Sequence, residues 1–409
     1  MAALSHNTMH VVVAGCGPAG RWLAAALSER GLDVMIVSPT WDTPWQNRYA
    51  GWEDELAPLG VPCDVRLSDA NVHLPETRSL GRAYVRADRD ALRAAVDARL
   101  GRVVAANARV TAVDRFVHLS DGERVACDVF VDATGAGQIA RPGHRAQRFQ
   151  TAYGVEVSGA DVPLPRDAMT LMDFRPVDAA EWAGRPSFLY AMPLSEGRWF
   201  FEETILVGAP VAPASLRGIL AARLAWLGVD LDALEEHDVE RCVIPMDVAP
   251  LDASAPVRAG GADGAPWVTA FGAAAGYVHP ATGYSLATTL RRSARVAEAI
   301  EEVVAGRAPD PETRLRAAVC SDAEARQQRV YGFGGEVMAS MSGEEIQSFF
   351  GAFFSLEPAR RDGFLAGTLD EPALARAMWE VFLRTSMPVR GILAGAGFRN
   401  APLLWRSLT

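Results

Sequence analysis

Lysine is missing from the 409-residue sequence, and all 40 basic residues are arginine. Such a chain cannot form a lysine Schiff base with a carbonyl substrate, and its composition fits a GC-rich bacterial coding bias. Cysteine is sparse. Cys16, Cys63, Cys127, Cys242 and Cys320 include no CxxC pair, so neither a disulfide framework nor a zinc site is expected, and a reducing compartment fits best. Positive charge is in deficit, with a net charge of -10, which argues against a nucleic-acid partner because phosphate neutralisation requires a basic surface. No apolar run approaches the roughly 18 residues of a membrane span, and the opening MAALSHNTMHVVVAG lacks the features of a signal peptide. The expectation is a cytoplasmic globular protein with two or three domains at about 150 residues each.

Residues 10–14 form a short β-branched run, 15–20 a glycine turn, and 21–30 a helix with Leu23, Ala26 and Leu27 on one face. With a strand at 34–37, this is the βαβ opening of a Rossmann-type domain. Residues 89–100 read as a helix, 103–113 with 116–119 as a hairpin-like excursion, and 128–132 as another buried strand. From about 150 to 250, extended segments divided by Pro and Gly clusters predict an antiparallel sheet. The Rossmann pattern resumes at 267–271 and enters a long helix over 285–304 that stops at Gly306. A helical region follows, in which Phe349, Phe350, Phe353 and Phe354 form one stripe.

Three stretches suit a dinucleotide. VVVAGCGPAG supplies Gly15, Gly17 and Gly20, with Pro18 and Ala19 between them, for a tight turn, close pyrophosphate approach and helix packing. The acid expected about 20 residues on is replaced by Ser38. DVFVDATG brings Asp132, Thr134 and Gly135 to the end of a buried strand; a chance strand and turn is the competing reading. FGAAAGYVHPATGYSLATTL carries Gly272, Ala275, Gly276, Thr282, Gly283 and Tyr284 into a helix, where backbone can approach a flavin ring. Their order favours FAD over NAD. The fold class is therefore α/β: a Rossmann-type FAD-binding domain over 1–149 and 265–306, a substrate-binding antiparallel β-sheet domain over 150–264, and a helical C-terminal region over 307–409.

Between these stretches lies FLYAMPLSEGRWFFEETIL, two adjacent carboxylates in an apolar, aromatic run. As a strand it puts Phe200, Glu202 and Thr204 on one side and Phe201, Glu203 and Ile205 on the other, so one glutamate at most faces a given cavity. A buried carboxyl keeps its proton, and a neutral acid beside a flavin suggests proton chemistry on an apolar substrate. A charged edge strand that resists aggregation is the competing reading.

FFEET, VHPATGY, PWQNRYAGWEDEL, QTAYGVEV and LMDFR together resemble the lycopene β-cyclase family over most of the chain. The resemblance implies a fold related to aromatic hydroxylases and geranylgeranyl reductases, and a reduced-FAD-dependent ring closure of a terminal polyene without net redox change. NADPH or NADH is then the external reductant. By position it implies Glu202 as proton donor, Glu203 as its neighbour, and His279 in contact with flavin or accepting the ring proton, against a core histidine. It places Asp54 and Glu55 at the site, against a solvated helix start, and Arg86 near the flavin, against a helix-flanking charge. Tyr284, Trp199 and Phe201 are candidate aromatic faces for a cation.

The sequence departs from the family pattern at AGWEDE, at Asp247 and Val248 after IPM, and at Arg361. These departures leave open a shorter polyprenyl or meroterpenoid substrate. A flavin monooxygenase, a prenyl reductase and an isoprenoid carrier are the further alternatives. The expected partner is a hydrophobic isoprenoid, with peripheral membrane contact through the aromatic helix or the tail from residue 387, and the competing reading packs these on the core.

Overall fold

The computed structural model describes residues 9–135, 139–140, 146–175, 186–249, 258–259 and 264–399. Met9–Ala14 sits at the centre of a five-stranded parallel sheet in the order Trp267–Ala270, Cys127–Asp132, Met9–Ala14, Val34–Val37, Val103–Ala106. Its strands are near-continuous apolar runs, as suits a sheet covered on both faces. The helices Pro18–Glu29 and Leu286–Val304 pack against each other beside it.

The expected hairpin over 103–119 is corrected. Val103–Ala106 pairs in parallel with Val34–Val37, and Val110–Val113, Val117–Leu119 and Arg124–Val125 form a separate antiparallel meander. A strand whose partner lies some 70 residues away carries no local mark of that pairing.

The second sheet has seven strands, in the order Glu235–Pro245, Phe149–Ser158, Arg198–Gly208, Ser187–Pro193, Ala168–Asp173, Asp69–His73, Thr77–Ser79. Asp69–His73 joins parallel to Ala168–Asp173, while the other pairings are antiparallel. The chain before residue 149 thus contributes two strands to the sheet built mainly after it. A third, small sheet pairs Tyr84–Ala87 with Ala50–Trp52 and Cys63–Leu67.

Arg198–Gly208 is covered on both sides. Trp199, Phe201 and Ile205 pack with Leu216 and with Leu220 and Leu224 of the helix Arg217–Trp226, which Leu216 precedes. Phe200 and Leu206 belong instead to the cluster formed with the C-terminal helices, including Phe333, Phe350 and Phe353. Those helices run from Pro311–Val319 to Met387–Arg399. Two of them, Asp322–Met338 and Gly343–Phe353, open on Ser–Glu capping boxes that satisfy their first amides. Residues 400–409 of the expected tail lie outside the described residues.

Candidate active site

The three glycines of the first turn serve three purposes. Gly15 has φ 108°, and a Cβ there would lie 2.4 Å from the Ala133 carbonyl oxygen. At Gly20 a Cβ would lie 2.0 Å from the Gly15 carbonyl oxygen, so this glycine sets the helix–strand approach. Gly17 caps the helix Pro18–Glu29 with open space around it, no capping side chain and no acid in the first turn. The first amides of that helix are left for an anion.

Gly15, Gly17, Pro18, Ala19, Ser38, Thr134 and Gly135 line one end of a cavity of about 950 Å³, and Arg86 also belongs to its lining. The Ser38 and Thr40 hydroxyls are 3.1 Å apart there. Arg86 is held by Asp64 at 3.0 Å and Glu156 at 3.5 Å. Gly20 does not line the cavity. Neither does Asp132, whose carboxylate accepts from the Thr134 amide and hydroxyl at 3.1 and 2.6 Å and from the Ile139 and Ala140 amides at 2.9 and 3.1 Å. It holds the loop that presents Thr134.

In the third stretch, Thr282, Gly283 and Tyr284 line the cavity, and Gly272, Ala275 and Gly276 do not. Gly272 (φ 67°) makes room for Ala19, whose Cβ would sit 2.6 Å from an added one. Gly276 lies under the Val248 carbonyl, and Ala275 is in the core of the parallel sheet.

The same cavity continues without interruption to an apolar end walled by Phe188, Phe200, Phe349, Phe350, Phe353 and Phe354. Glu202 faces it, with Thr204 donating a hydroxyl hydrogen bond to Oε1 at 2.8 Å. No arginine or histidine among the described residues forms an ion pair with Glu202. Burial, reinforced by the nearby Glu240 carboxylate, pushes its pKa up to about 8. Glu202 is a neutral acid at pH 7.

Tyr284 and Tyr84 share a hydroxyl hydrogen bond of 2.9 Å, and Tyr190 donates to Tyr84 at 3.4 Å. Burial raises all three phenols well above their ordinary value, so they stay neutral. Glu55 also lines the cavity, 3.1 Å from Arg82 and 3.5 Å from Arg291.

Five further expected site residues stand elsewhere. Glu203 points to the opposite face of its strand, where it is wholly buried against the Arg223 guanidinium at 2.9 and 3.0 Å and accepts from the Ser187 hydroxyl. Arg223 also donates to the Asp173, Arg175 and Ser187 carbonyls. Trp199 and Phe201 share that face and stack on each other at 5.5 Å, away from the cavity. His279 has both ring nitrogens engaged, Nδ1 accepting from the Ala281 amide at 3.2 Å and Nε2 donating to the Phe364 carbonyl at 3.1 Å. Burial lowers its pKa to about 4, which makes it a weak base, and it does not line the cavity. Asp54 is exposed and paired with Arg82 at 2.8 Å.

Sequence reasoning missed Glu240, Arg48, Tyr84 and Tyr190, all of which line the cavity. The only local signal was the alternation that puts Glu240 and Cys242 on one side of VERCVIP. Of the departures from the family pattern, Asp247 accepts the Gln147 amide at 2.9 Å and Arg361 donates to the Leu80 carbonyl at 2.6 Å. Neither they nor Val248 line the cavity.

Two stability measurements follow from the glutamate pair. Arg223→Ala strands the Glu203 charge and should cost about 3–5 kcal/mol in urea unfolding. Glu202→Gln should have the opposite effect, increasingly with pH. A folded-state pKa raised from 4.5 to about 8 gives stability that is fully present below 4.5 and lost as pH rises through 8, at about 1.4 kcal/mol per pH unit. The melting temperature of the Gln variant should match the parent near pH 5 and exceed it above pH 8.

The model of the family described as lycopene cyclase protein matches residues 10–391. A lycopene beta cyclase of an Oncidium hybrid cultivar is 33% identical, with 94% of this chain and 83% of that protein covered. The lycopene beta cyclase of Synechococcus elongatus is 30% identical over 97% and 98% of the two chains. A Deinococcus radiodurans protein described as an uncharacterized carotenoid cyclase is 32% identical over 100% and 98%. Among solved structures, a geranylgeranyl bacteriochlorophyll reductase-like protein from Thermoplasma acidophilum superimposes with a TM-score of 0.68 at 14% identity, covering 92% of this chain and 99% of that one. A flavoprotein/dehydrogenase from Cytophaga hutchinsonii does so with a TM-score of 0.61 at 14% identity, covering 95% and 100%. The fold is the one these proteins share, and by its sequence the chain belongs to the lycopene cyclase family.

Proposed function

We propose that the protein closes a ring at the end of lycopene, with FAD bound in its reduced form and NADPH or NADH as the external reductant. One observation carries this reading: Glu202, a half-buried acid with no bonded cation among the described residues, stands at the aromatic end of a cavity whose other end is a glycine turn. The turn fits a dinucleotide, since a Cβ at Gly15 would collide with the Ala133 carbonyl and the space over Gly17 is open. The Gly17 and Ala19 amides would hold the pyrophosphate, with Pro18, which has no N–H, fixing the turn between them, and Thr134, Gly135, Gly283 and Tyr284 would border the rest. When bound, reduced flavin supplies negative charge beside a developing cation.

Glu202 gives its proton to the terminal trisubstituted alkene, leaving a tertiary cation. The next suitably placed double bond attacks that carbon, and loss of a ring proton restores an alkene, so substrate and product are isomers. Thr204 then stabilises the Glu202 carboxylate through its hydroxyl, and the Tyr84 and Tyr190 rings face the positive charge. The phenylalanine walls exclude water, which would otherwise quench the cation.

A polyene of this kind is collected from a membrane, and peripheral contact on the cytoplasmic side belongs to the same reading. No helix among the described residues is long and apolar enough to cross a membrane. Phe350, Phe353 and Phe354 face inward, whereas Trp379, Leu383 and Met387 are 61%, 51% and 73% exposed along the last two helices. Trp379→Ser should reduce co-sedimentation with phospholipid vesicles several-fold while leaving the cavity intact.

With the FAD-loaded, reduced protein and lycopene, mass-resolved chromatography should show a cyclic isomer. Glu202→Gln should lower its formation by at least about 10³-fold, in line with loss of an obligatory general acid, with FAD retained. A product of altered mass formed with stoichiometric NADPH loss would instead identify a reductase or monooxygenase.

A further inference from the structure

Glu202 belongs to a row that crosses three strands. Gly154 is the register partner of Glu202 on one side and of Glu240 on the other, so the two glutamates project to the same side of the sheet with a glycine between them. Adjacent strands lie about 4.8 Å apart. The two α-carbons are therefore separated by roughly twice that, and any side chain at 154 would stand between the carboxyls. A Cβ there would fall 2.5 Å from the Phe200 ring and 3.3 Å from the Glu202 Cβ. Both carboxyls line the cavity.

The two acids are held differently. Glu240 Oε1 accepts the Arg48 amide at 2.8 Å, and the Arg48 guanidinium lies 3.6 Å from Oε2. Arg48 is itself fixed by Asp238 at 2.8 Å and Glu156 at 3.4 Å, with its guanidinium 4.8 Å over the Phe200 ring. Glu202 has a single hydroxyl donor, Thr204. When two neighbouring carboxyls share one proton, it resides on the one with the poorer support for charge.

Resting on the cyclase reading above, we infer that Glu240 is a positioning residue for ring closure: fixed by Arg48 across Gly154, its ionised carboxylate keeps the proton on Glu202 until an alkene is presented. The other titratable or charged groups near the pair are Tyr84, Tyr190, Cys242, Glu203, Tyr49 and Arg89. Burial raises the phenols and the thiol and keeps them neutral, and Glu203 is held by Arg223 on the far face. Burial raises Glu240 as well, and the Arg48 amide and guanidinium oppose that rise, bonded support that Glu202 lacks; the glutamate pair is left to set the charge at this end of the cavity.

Infrared pH titration of the FAD-loaded protein tests this by following the protonated-carboxyl stretch, alongside the pH profile of cyclisation. In the parent, the band should persist past neutrality, and Glu202→Gln should remove it. In Glu240→Gln its midpoint should fall by about one pH unit or more, and the basic limb of kcat should move with it, giving about five-fold less turnover at pH 8 with KM little changed. Glu240→Asp, which keeps the charge, should hold the midpoint near the parent's. An unmoved midpoint in Glu240→Gln would overturn the inference. So would a neutral-pH band left undiminished in Glu202→Gln, which would put the proton elsewhere than on Glu202, and this second result decides the matter even if Glu240→Gln does not fold. Should the parent form no cyclic product, the cyclase reading fails while the infrared titration still tests the pair.

Discussion

Taking an ionised carboxylate out of water costs several kcal/mol unless a cation and hydrogen bonds replace the lost hydration. Arg198–Gly208 meets that cost twice, at consecutive residues, because one of its faces is packed under a helix and the other lines the cavity. The two solutions are opposite. On the helix-covered face, Arg223 neutralises Glu203 and spends its remaining donors on three backbone carbonyls. On the cavity face no cation among the described residues bonds to Glu202, and the proton itself removes the charge. Glu203 ties the sheet to its helix, and Glu202 becomes an acid because its bonded donor, the Thr204 hydroxyl, carries no charge.

The surroundings support that division. His279 shows how a motif residue can act at a distance, since its two ring nitrogens tie residues 279–281 to the Phe364 carbonyl. The loop thus anchored delivers the Tyr284 hydroxyl to Tyr84. Arg82 likewise grips Asp54 and Glu55 together, so that only the second acid of that pair turns toward the cavity. Several motif positions contribute placement, and a smaller set of side chains meets the ligand space directly.

Local patterns disclosed much of this. The glycine turn, the resumption of the parallel sheet at Trp267–Ala270 and the long helix after it were readable because each follows from short-range periodicity and turn chemistry. Strict alternation separated Glu202 from Glu203, and the same parity rule, applied to Trp199 and Phe201, would have excluded those rings from the Glu202 face. Glu240, Arg48 and Tyr190 were hidden for a different reason. They reach the cavity through strand register and through a loop packed across the sheet, and no pattern in a single sequence encodes which strands become neighbours. Val103–Ala106 was misassigned on the same ground.

The cavity has no partition between the glycine turn and the phenylalanine walls. A guest seated at the turn would form the floor on which a second guest rests, and the room left for the second would depend on the first. The polypeptide by itself shapes only part of its own pocket. The remaining wall would arrive with a small molecule, and the shape open to the second guest would be set jointly by protein and first guest.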